Sequence, residues 1–124
     1  MTNPFTKARE LFKGGKNWGK GAYATRWVRL ANGELETLPV ELSQFCSLGA
    51  MRYVETGDVC LFYDSDNHDL LKEALVETHP DWAPTVEARG LQAVIEFNDD
   101  EETTFEMVDA MFERAEKIWE RDHA

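Results

Sequence analysis

The feature that most constrains the fold is an acidic run near the end of the sequence, followed by a strongly periodic apolar pattern. Thr103 followed three residues later by Glu106 is typical of a capping box, in which the hydroxyl and the carboxylate satisfy amides of the first helical turn. We therefore predict a helix that begins at about Thr104. Its apolar residues recur at the spacing of one helical face: Phe105, Val108, Met111, Phe112, Ala115, Ile118 and Trp119.

A second apolar stripe precedes this helix and predicts a helical partner for it. The stripe consists of Ala88, Leu91, Val94 and Ile95. It indicates one helix that extends to Phe97, with Pro84 in its first turn. The polar run 98–102 then forms a short linker, which should make the two helices antiparallel neighbours.

The N-terminal part predicts a helix, an ordered loop and a small hairpin. Asn3 can cap a helix that has Pro4 at its first position and ends before Gly14-Gly15. Its apolar face is Phe5, Ala8, Leu11 and Phe12. Residues 17–22 are expected to form an ordered loop held by Trp18. The turn signal in residues 31–33 favours a β-hairpin between residues 23–30 and 34–38.

Two further helices are predicted in the middle of the chain. Pro39 opens the first, whose shared face is Leu42, Phe45, Cys46, Gly49 and Tyr53. Residues 59–63 form a short apolar run that fits either a strand or the end of a buried segment. Asp66 or Asn67 caps the next helix, which ends before Pro80 and is followed by a turn at residues 81–84. The predicted fold is a mainly α, compact bundle of four to five helices with a small N-terminal β-hairpin, in a single domain over residues 1–124.

Composition excludes several classes of protein. A chain of 124 residues with 43% hydrophobic residues is long enough to bury a core without disulfides or metal. No apolar run approaches the roughly 20 residues that span a bilayer, and the first residues do not form a secretory signal. Cys46 and Cys60 are expected to be reduced thiols, with Cys46 in the core, so we expect a cytoplasmic protein.

The charge is unevenly distributed along the chain. Residues 1–54 contain eight Lys and Arg against four Asp and Glu, whereas residues 55–124 contain five against twenty, for a net charge of −11. Such an acidic region repels phosphates, so it should not bind nucleic acid directly. It could keep the protein soluble, or it could contact a basic partner. The cations near Trp18 and Trp27 are either ordinary surface charges or an anion contact.

Motifs that would identify an enzyme are absent from the sequence. There is no glycine-rich phosphate loop, no CxxC pair, no HExxH and no serine elbow. Residues 64–75 resemble a calcium loop only at first, because Asp69 stands where glycine is needed and Leu75 where glutamate is needed. His68, His79 and His123 are separated, and we expect surface or capping roles for them. We predict no metal site and no cofactor.

Four segments together resemble the landmarks of a known family. They are Trp-Gly-Lys-Gly-Ala at 18–22, Phe-Cys-Ser-Leu-Gly-Ala at 45–50, Ile-Glu-Phe-Asn-Asp at 95–99 and Thr-Thr-Phe-Glu-Met-Val at 103–108. They are similar to a small uncharacterised domain family of bacteria, notably actinobacteria, and their phages. The chain departs from the pattern after Asp99, where Asp100-Glu101-Glu102 replaces a small turn with proline or glycine. The resemblance implies fold and provenance but no activity.

These observations lead to three functional hypotheses. The first is a non-enzymatic acidic interaction protein, phage-encoded, that binds and modulates a host protein with a basic surface. Its predicted binding residues are Asp99, Asp100, Glu101, Glu102, Glu106, Asp109 and Glu113. The second is a small-molecule-binding domain or small enzyme, with a pocket formed by Cys46, Arg52, Asn98 and Asp99. The third is a decoy that imitates nucleic acid, which requires the carboxylates of residues 55–124 to lie largely on one face.

Overall fold

The fold is mainly helical, with short pieces of strand near the N-terminus. The computed structural model describes residues 2–21, 24–25, 27–57 and 65–124, so the run 59–63 and Cys60 lie outside the described residues. The described part contains six α-helices: α1 Pro4–Phe12, α2 Ser47–Thr56, α3 Asp66–Thr78, α4 Ala83–Arg89, α5 Gln92–Asp99 and α6 Phe105–Asp122. Its strands are β1 Ala24–Thr25, β2 Trp27–Arg29, β3 Leu35–Thr37 and β4 Gln44–Phe45. None of these helices combines the length and the apolar composition needed to cross a membrane.

Helix α6 is the central element, and its start lies one residue later than the capping-box pattern predicts. Thr104 is the N-cap, and its side chain accepts a hydrogen bond from the backbone N–H of Met107. Thr103 instead donates its N–H to the carbonyl of Asp100 and is buried, because the linker closes into a turn before the helix begins. The prediction of Thr103 and Glu106 as the capping pair was therefore wrong. The predicted apolar face is confirmed, since its members from Val108 to Trp119 are buried.

Helix α1 follows the sequence prediction closely. The side chain of Asn3 accepts from the N–H of Phe5, and Pro4 occupies the first turn. The helix ends at Phe12 and continues as a short 3₁₀ turn, Lys13–Gly15. Gly15 has a φ of +101°, and an added Cβ would lie 2.9 Å from the ring of Phe105, so a side chain there would be strained and would collide with α6.

The helix predicted to open at Pro39 begins eight residues later. Residues Val40–Leu42 form a 3₁₀ turn, Gln44–Phe45 form β4, and Cys46 caps α2. The N–H of Phe45 donates to the carbonyl of Asn17 at 2.7 Å, so the backbone here pairs with the N-terminal loop instead of forming helical bonds. Phe45 is fully buried, whereas Leu42, which was predicted to share its face, is exposed.

Helix α3 ends before Pro80 as predicted, but its cap differs. Ser65 caps the helix by accepting from the N–H of Asn67, whereas Asp66 and Asn67 were predicted for that role. His68 lies in the first turn and is 3% exposed, so the expectation of a surface or capping histidine was wrong for this residue. His68 and Leu71 are three residues apart in α3 and therefore lie on the same face of the helix, which is the face that is buried in the core.

The helix predicted from Ala88 to Phe97 is in fact two helices. Gly90 separates α4 from α5 and adopts φ 59°, ψ −130°, a conformation that favours glycine. The predicted turn at 81–84 is also helical, since a 3₁₀ turn at Pro80–Trp82 leads directly into α4. Pro84 lies in the first turn of α4, as predicted.

The core lies where α6 packs against α1 and α3. Phe112 contacts Phe5 and Phe12 edge-on, with ring centroids 6.2 Å and 5.3 Å apart. These helices, and not α5, provide the most extensive contacts of α6, although the short linker had predicted α5 as its neighbour. Helix α1 also packs against α2, which in turn contacts α5.

The strands form two small antiparallel pairs. Strand β2 pairs with β3, with Val28 opposite Glu36, and β1 pairs with β4, with Ala24 opposite Phe45. All three residues of β3 are exposed. Pairs of two or three residues are marginal on their own. Phe45 connects β4 to the core and therefore places this region against the helices.

Candidate functional site

Asn98 is fully buried at the end of α5 and joins three parts of the chain. Its Oδ1 accepts from Trp18 Nε1 at 2.8 Å, from the backbone N–H of Ser47 at 3.0 Å and from Ser47 Oγ at 2.8 Å. Its Nδ2 donates to the carbonyl of Gly19 at 3.0 Å. An amide can both accept and donate, so asparagine suits this position better than aspartate. The side chain fixes the loop around Trp18 and the start of α2 to α5.

The acidic linker after Asn98 is held by backbone contacts. Asp99 Oδ1 accepts from the N–H of Gly21 at 2.9 Å, and Asp100 Oδ1 accepts from the N–H of Glu102 at 2.9 Å. Lys20 Nζ donates to the carbonyl of Asp100, at 2.5 Å, and lies 5.5 Å from the centre of the Trp18 ring. The linker therefore has a defined conformation, and its carboxylates have defined positions.

Two adjoining depressions lie beside this linker and share Trp82 and Asp100. One has a volume of about 540 Å³ and reaches along α5, and the other has a volume of about 350 Å³ and reaches along the end of α3. We call them together the acidic groove. The α5 side is lined further by Thr85, Gln92, Ile95, Glu96 and Asp99. The α3 side is lined further by Thr78, His79, Pro80, Asp81, Glu102, Thr103 and Met107.

Trp82 forms the ridge between the two sides of the groove. Its ring meets Phe97 edge-on, with centroids 5.6 Å apart and planes at 80°, and the residue is half-buried. The 3₁₀ turn between α3 and α4 presents it there, because α3 ends before Pro80 and Pro84 lies in the first turn of α4. One edge of the indole is thus anchored in the core while part of the residue remains accessible.

The groove has a strongly negative lining. Five carboxylates contribute to it: Asp81, Glu96, Asp99, Asp100 and Glu102. Neither lysine nor arginine occurs among the described lining residues of the two depressions. Arg89 outside the groove binds Glu96 Oε1 at 2.7 Å, whereas Oε2 of Glu96 has no hydrogen-bond partner within the described part of the chain.

His79 is the one histidine in this lining. Burial lowers the pKa of His79 from its ordinary value, so the ring is neutral at pH 7. The ring lies 4.8 Å from that of Phe97, centroid to centroid, and Nδ1 is 2.9 Å from Thr78 Oγ1. At neutral pH, His79 therefore adds apolar surface to the groove but no positive charge that would neutralise the carboxylates.

The remaining predicted binding residues fall into two groups. Glu101 and Glu106 are exposed at the linker and the first turn of α6, outside the lining of the groove. Asp109 and Glu113 lie farther along α6 and bind Arg9, whose Nε is 2.9 Å from Asp109 Oδ1 and whose Nη2 is 3.5 Å from Glu113 Oε2. The structure therefore brings together Asp99, Asp100 and Glu102 but places Asp109 and Glu113 in an internal ion-pair cluster.

The predicted pocket residues are not brought together around the depression beside Asp99. Cys46 is 4% exposed, and its Sγ accepts from the N–H of Gly49 at 3.4 Å. Burial raises the pKa of the Cys46 thiol, which keeps it protonated and unreactive. Arg52 is buried as well, and neither residue is among those that line this depression.

This arrangement can attract an organic cation. Within the described residues, no three His, Cys, Asp or Glu side chains are grouped so that they could hold a metal ion. The carboxylates surround an aromatic ridge, and an ammonium or guanidinium group can be attracted by both. Sequence reasoning missed Trp82 and His79 as lining residues. The available signal was Trp82 between two prolines, which the sequence analysis interpreted only as a turn.

Comparisons with known proteins give a family but no activity. No curated protein and no solved structure matches the chain. One family model covers residues 4–118, which includes all six helices except the last residues of α6. The chain therefore belongs to the family described as a family of unknown function, DUF6197.

Proposed function

We propose that this chain is a non-enzymatic binding protein whose acidic groove docks a basic segment of another protein. The observation that carries the proposal is the grouping of five carboxylates around the half-buried Trp82, with neither lysine nor arginine in the described lining. A protein of net charge −11 also attracts positively charged partners over a distance, which raises their rate of association.

An arginine or lysine side chain fits the chemistry of the groove. Its aliphatic stem can lie on Ile95 or Met107, and its charged end can reach Asp100 and stack on Trp82. Trp82 and Asp100 line both sides of the groove, so a ligand on either side can contact both residues. Two basic side chains of one extended segment could therefore occupy the two sides together.

The bacterial and phage origin implied by the sequence resemblance makes a host protein the proposed partner, and modulation of that protein the proposed outcome. A decoy that imitates nucleic acid is less well supported. Asp109, Glu113 and Glu116 are engaged by Arg9, so they form part of an internal contact instead of a continuous display of charge.

Affinity capture with paired variants tests the proposal. The tagged wild type and the variant Asp81→Asn/Glu102→Gln are incubated with lysate of a candidate host at low and high salt. Asp81 and Glu102 are exposed, so their neutralisation leaves the core unchanged. The control Glu87→Gln/Glu120→Gln removes the same charge from exposed positions outside the groove.

We expect one partner that is retained at low salt by the wild type and the control, but lost at high salt and lost by the groove variant. A partner retained equally by all three proteins would place binding elsewhere. No partner at either salt concentration would contradict protein docking.

A further inference from the structure

A second cavity lies at the other end of α6 from the acidic groove. It has a volume of about 580 Å³, within the range of cavities that bind small molecules. It is formed where the first turns of α1 and α3 meet the last turns of α2 and α6. Met107 lines the groove and Trp119 lines this cavity, so they are separated by about 18 Å along the helix. We call it the terminal cleft.

The terminal cleft has an apolar floor with a fixed aromatic surface. The imidazole of His123 stacks on the indole of Trp119, with ring centroids 4.0 Å apart and planes at 16°. His123 Nδ1 lies 2.8 Å from the carbonyl of Trp119, which holds the ring in place. Pro4, Val54 and Leu70 continue the apolar lining.

The polar lining is dominated by carboxylates. Glu55 is held in place because its Oε1 accepts from Asn67 Nδ2 at 2.8 Å and from Ser65 Oγ at 3.3 Å. Asp66 and Asp122 add two exposed carboxylates, of which Asp122 Oδ1 also accepts from Arg121 Nε at 3.0 Å. Lys7 is the one lysine among the described lining residues, and it forms no ion pair within the described part of the chain.

We infer that the terminal cleft binds a small organic ammonium compound that carries an apolar, planar body. The planar body lies on the exposed ring of His123, which stacks on the largely buried Trp119, and the ammonium group faces Glu55, Asp66 and Asp122. Three carboxylates oppose a purely anionic ligand, and Glu55 already occupies the region of the Ser65 cap where an anion could bind the start of α3. This site is independent of the docking function proposed for the acidic groove.

Lys7 should allow the cleft to distinguish ammonium compounds that carry a carboxylate from those that do not. A compound that carries a carboxylate beside its ammonium group can satisfy Lys7 and the acidic wall together. Among ammonium compounds of similar shape, we therefore expect the zwitterion to depend on Lys7 and the simple amine not to depend on it. This difference separates a defined cleft from general attraction to an acidic surface.

Four probes of defined charge test the inference by NMR titration of the full chain. They are 2-phenylethylamine, its near-isosteric anion 3-phenylpropanoate, the zwitterion phenylalanine and methylammonium, which has no apolar body. We expect 2-phenylethylamine and phenylalanine to shift the indole N–H signal of Trp119, and the other two to leave it unchanged. Saturable binding should remain at moderate salt, because the apolar contact does not depend on ionic strength.

Paired variants locate the binding. Asp66→Asn/Asp122→Asn should weaken 2-phenylethylamine roughly two- to fivefold for each lost carboxylate, in keeping with exposed ion pairs. Lys7→Met should weaken phenylalanine but not 2-phenylethylamine. The groove variant Asp81→Asn/Glu102→Gln is the matched control and should change neither affinity.

Three outcomes would overturn the inference. They are equal response to the amine and the anion, a response to methylammonium as large as that to 2-phenylethylamine, and no saturable shift of Trp119 with any probe. Because the groove is tested separately by protein capture, failure here leaves the docking proposal intact, and failure of capture leaves this inference intact.

Discussion

Carboxylates occur both in the acidic groove and in the cluster that Arg9 forms with Asp109, Glu113 and Glu116, which we call the Arg9 cluster. Their surroundings in the two regions differ. In the cluster, one guanidinium on α1 binds three carboxylates on α6, with Asp109 accepting from both Nε and Nη2. Thr6 Oγ1 donates to Glu116 as well. In the groove, five carboxylates line one surface, and among the described residues Arg89 is the one guanidinium paired with any of them. A cation from a neighbouring element therefore decides whether a carboxylate holds the fold together or remains available to a partner.

The two regions also differ in what fixes them. Hydrogen bonds of Arg9 raise its pKa, chiefly through Asp109, so the cluster is stabilised by its own charges. Two carboxylates of the groove, Asp99 and Asp100, are positioned by neutral groups, namely backbone amides and the buried amide of Asn98, whereas Glu96 is paired with Arg89. The groove can therefore lose charge without losing shape, whereas the cluster cannot.

The largest effect is expected for Asn98→Ala. The substitution removes the acceptor of the part-buried Trp18 Nε1 and of both donors of the fully buried Ser47, so all three donors lose this partner. Each unsatisfied group costs about 1–3 kcal/mol, so we expect a total loss of roughly 3–5 kcal/mol in the free energy of unfolding. Urea denaturation followed by tryptophan fluorescence measures it. Asp99→Asn is the adjacent control, and a loss as large in the control would contradict the special role of Asn98.

Next in size is Arg9→Met. The change keeps the aliphatic part of the side chain but removes the cation that Asp109 and Glu116 share, while Glu113 keeps Lys117 Nζ at 3.4 Å from its Oε1. Arg9 is 29% exposed, so solvent reduces the effect, and we expect a loss of about 1–2 kcal/mol that diminishes with added salt. Arg89→Met, which breaks the more exposed pair with Glu96, should cost about 0.5 kcal/mol or less. If the two variants lost equal amounts of unfolding free energy, the ion pairs of the cluster would not stabilise the fold more than the pair beside the groove does.

Sequence reasoning predicted elements whose signals are local. The Asn3 cap, the end of α1 before the paired glycines and the buried face of α6 all depend on residues within a turn or two of one another. The mainly helical class followed from the same patterns. Membership of an uncharacterised family was implied instead by the resemblance of four separate segments, and the family match over residues 4–118 confirms it. Local signals also misplaced the α6 cap by one residue, because Thr103 and Thr104 are equivalent in sequence and the turn from Asp100 decides between them.

Elements that depend on distant contacts could not be predicted. The stretch after Pro39 is not an α-helix before Ser47, because Phe45 pairs with the backbone of Asn17, far away in sequence. Asn98 was identified as a junction residue, but its partners Trp18 and Ser47 lie 80 and 51 residues away. For the same reason, the sequence could not show that Asp109 and Glu113 form ion pairs within the fold, whereas Asp99 and Asp100 line the groove. The arginine that engages them is on α1, 100 residues before Asp109.

A smaller effect concerns the pH dependence of stability. Burial lowers the pKa of His79 below its unfolded value of 6.5, so the unfolded state binds the proton more readily. The contribution of the neutral ring is therefore fully present above pH 6.5 and is lost as the pH falls below that value. We expect the free energy of unfolding of the wild type to fall more steeply between pH 7 and pH 5 than that of His79→Gln. Parallel slopes for the two proteins would show that His79 does not sense pH.

The smallest change in stability is expected where the effect on binding is largest. Asp81→Asn/Glu102→Gln removes two charges from a surface that contains several others, which relieves repulsion and breaks no ion pair formed within the described residues. Its free energy of unfolding should stay within about 0.5 kcal/mol of the wild type or rise slightly, while capture of a basic partner is lost. Asp109→Asn removes one charge from the Arg9 cluster and should lower stability by about 1 kcal/mol while leaving capture intact. Thermal or urea denaturation of both variants beside the capture experiment compares the two regions directly. If the groove variant were the less stable protein, its carboxylates would be holding the fold, and the docking role assigned to them would have to be given up.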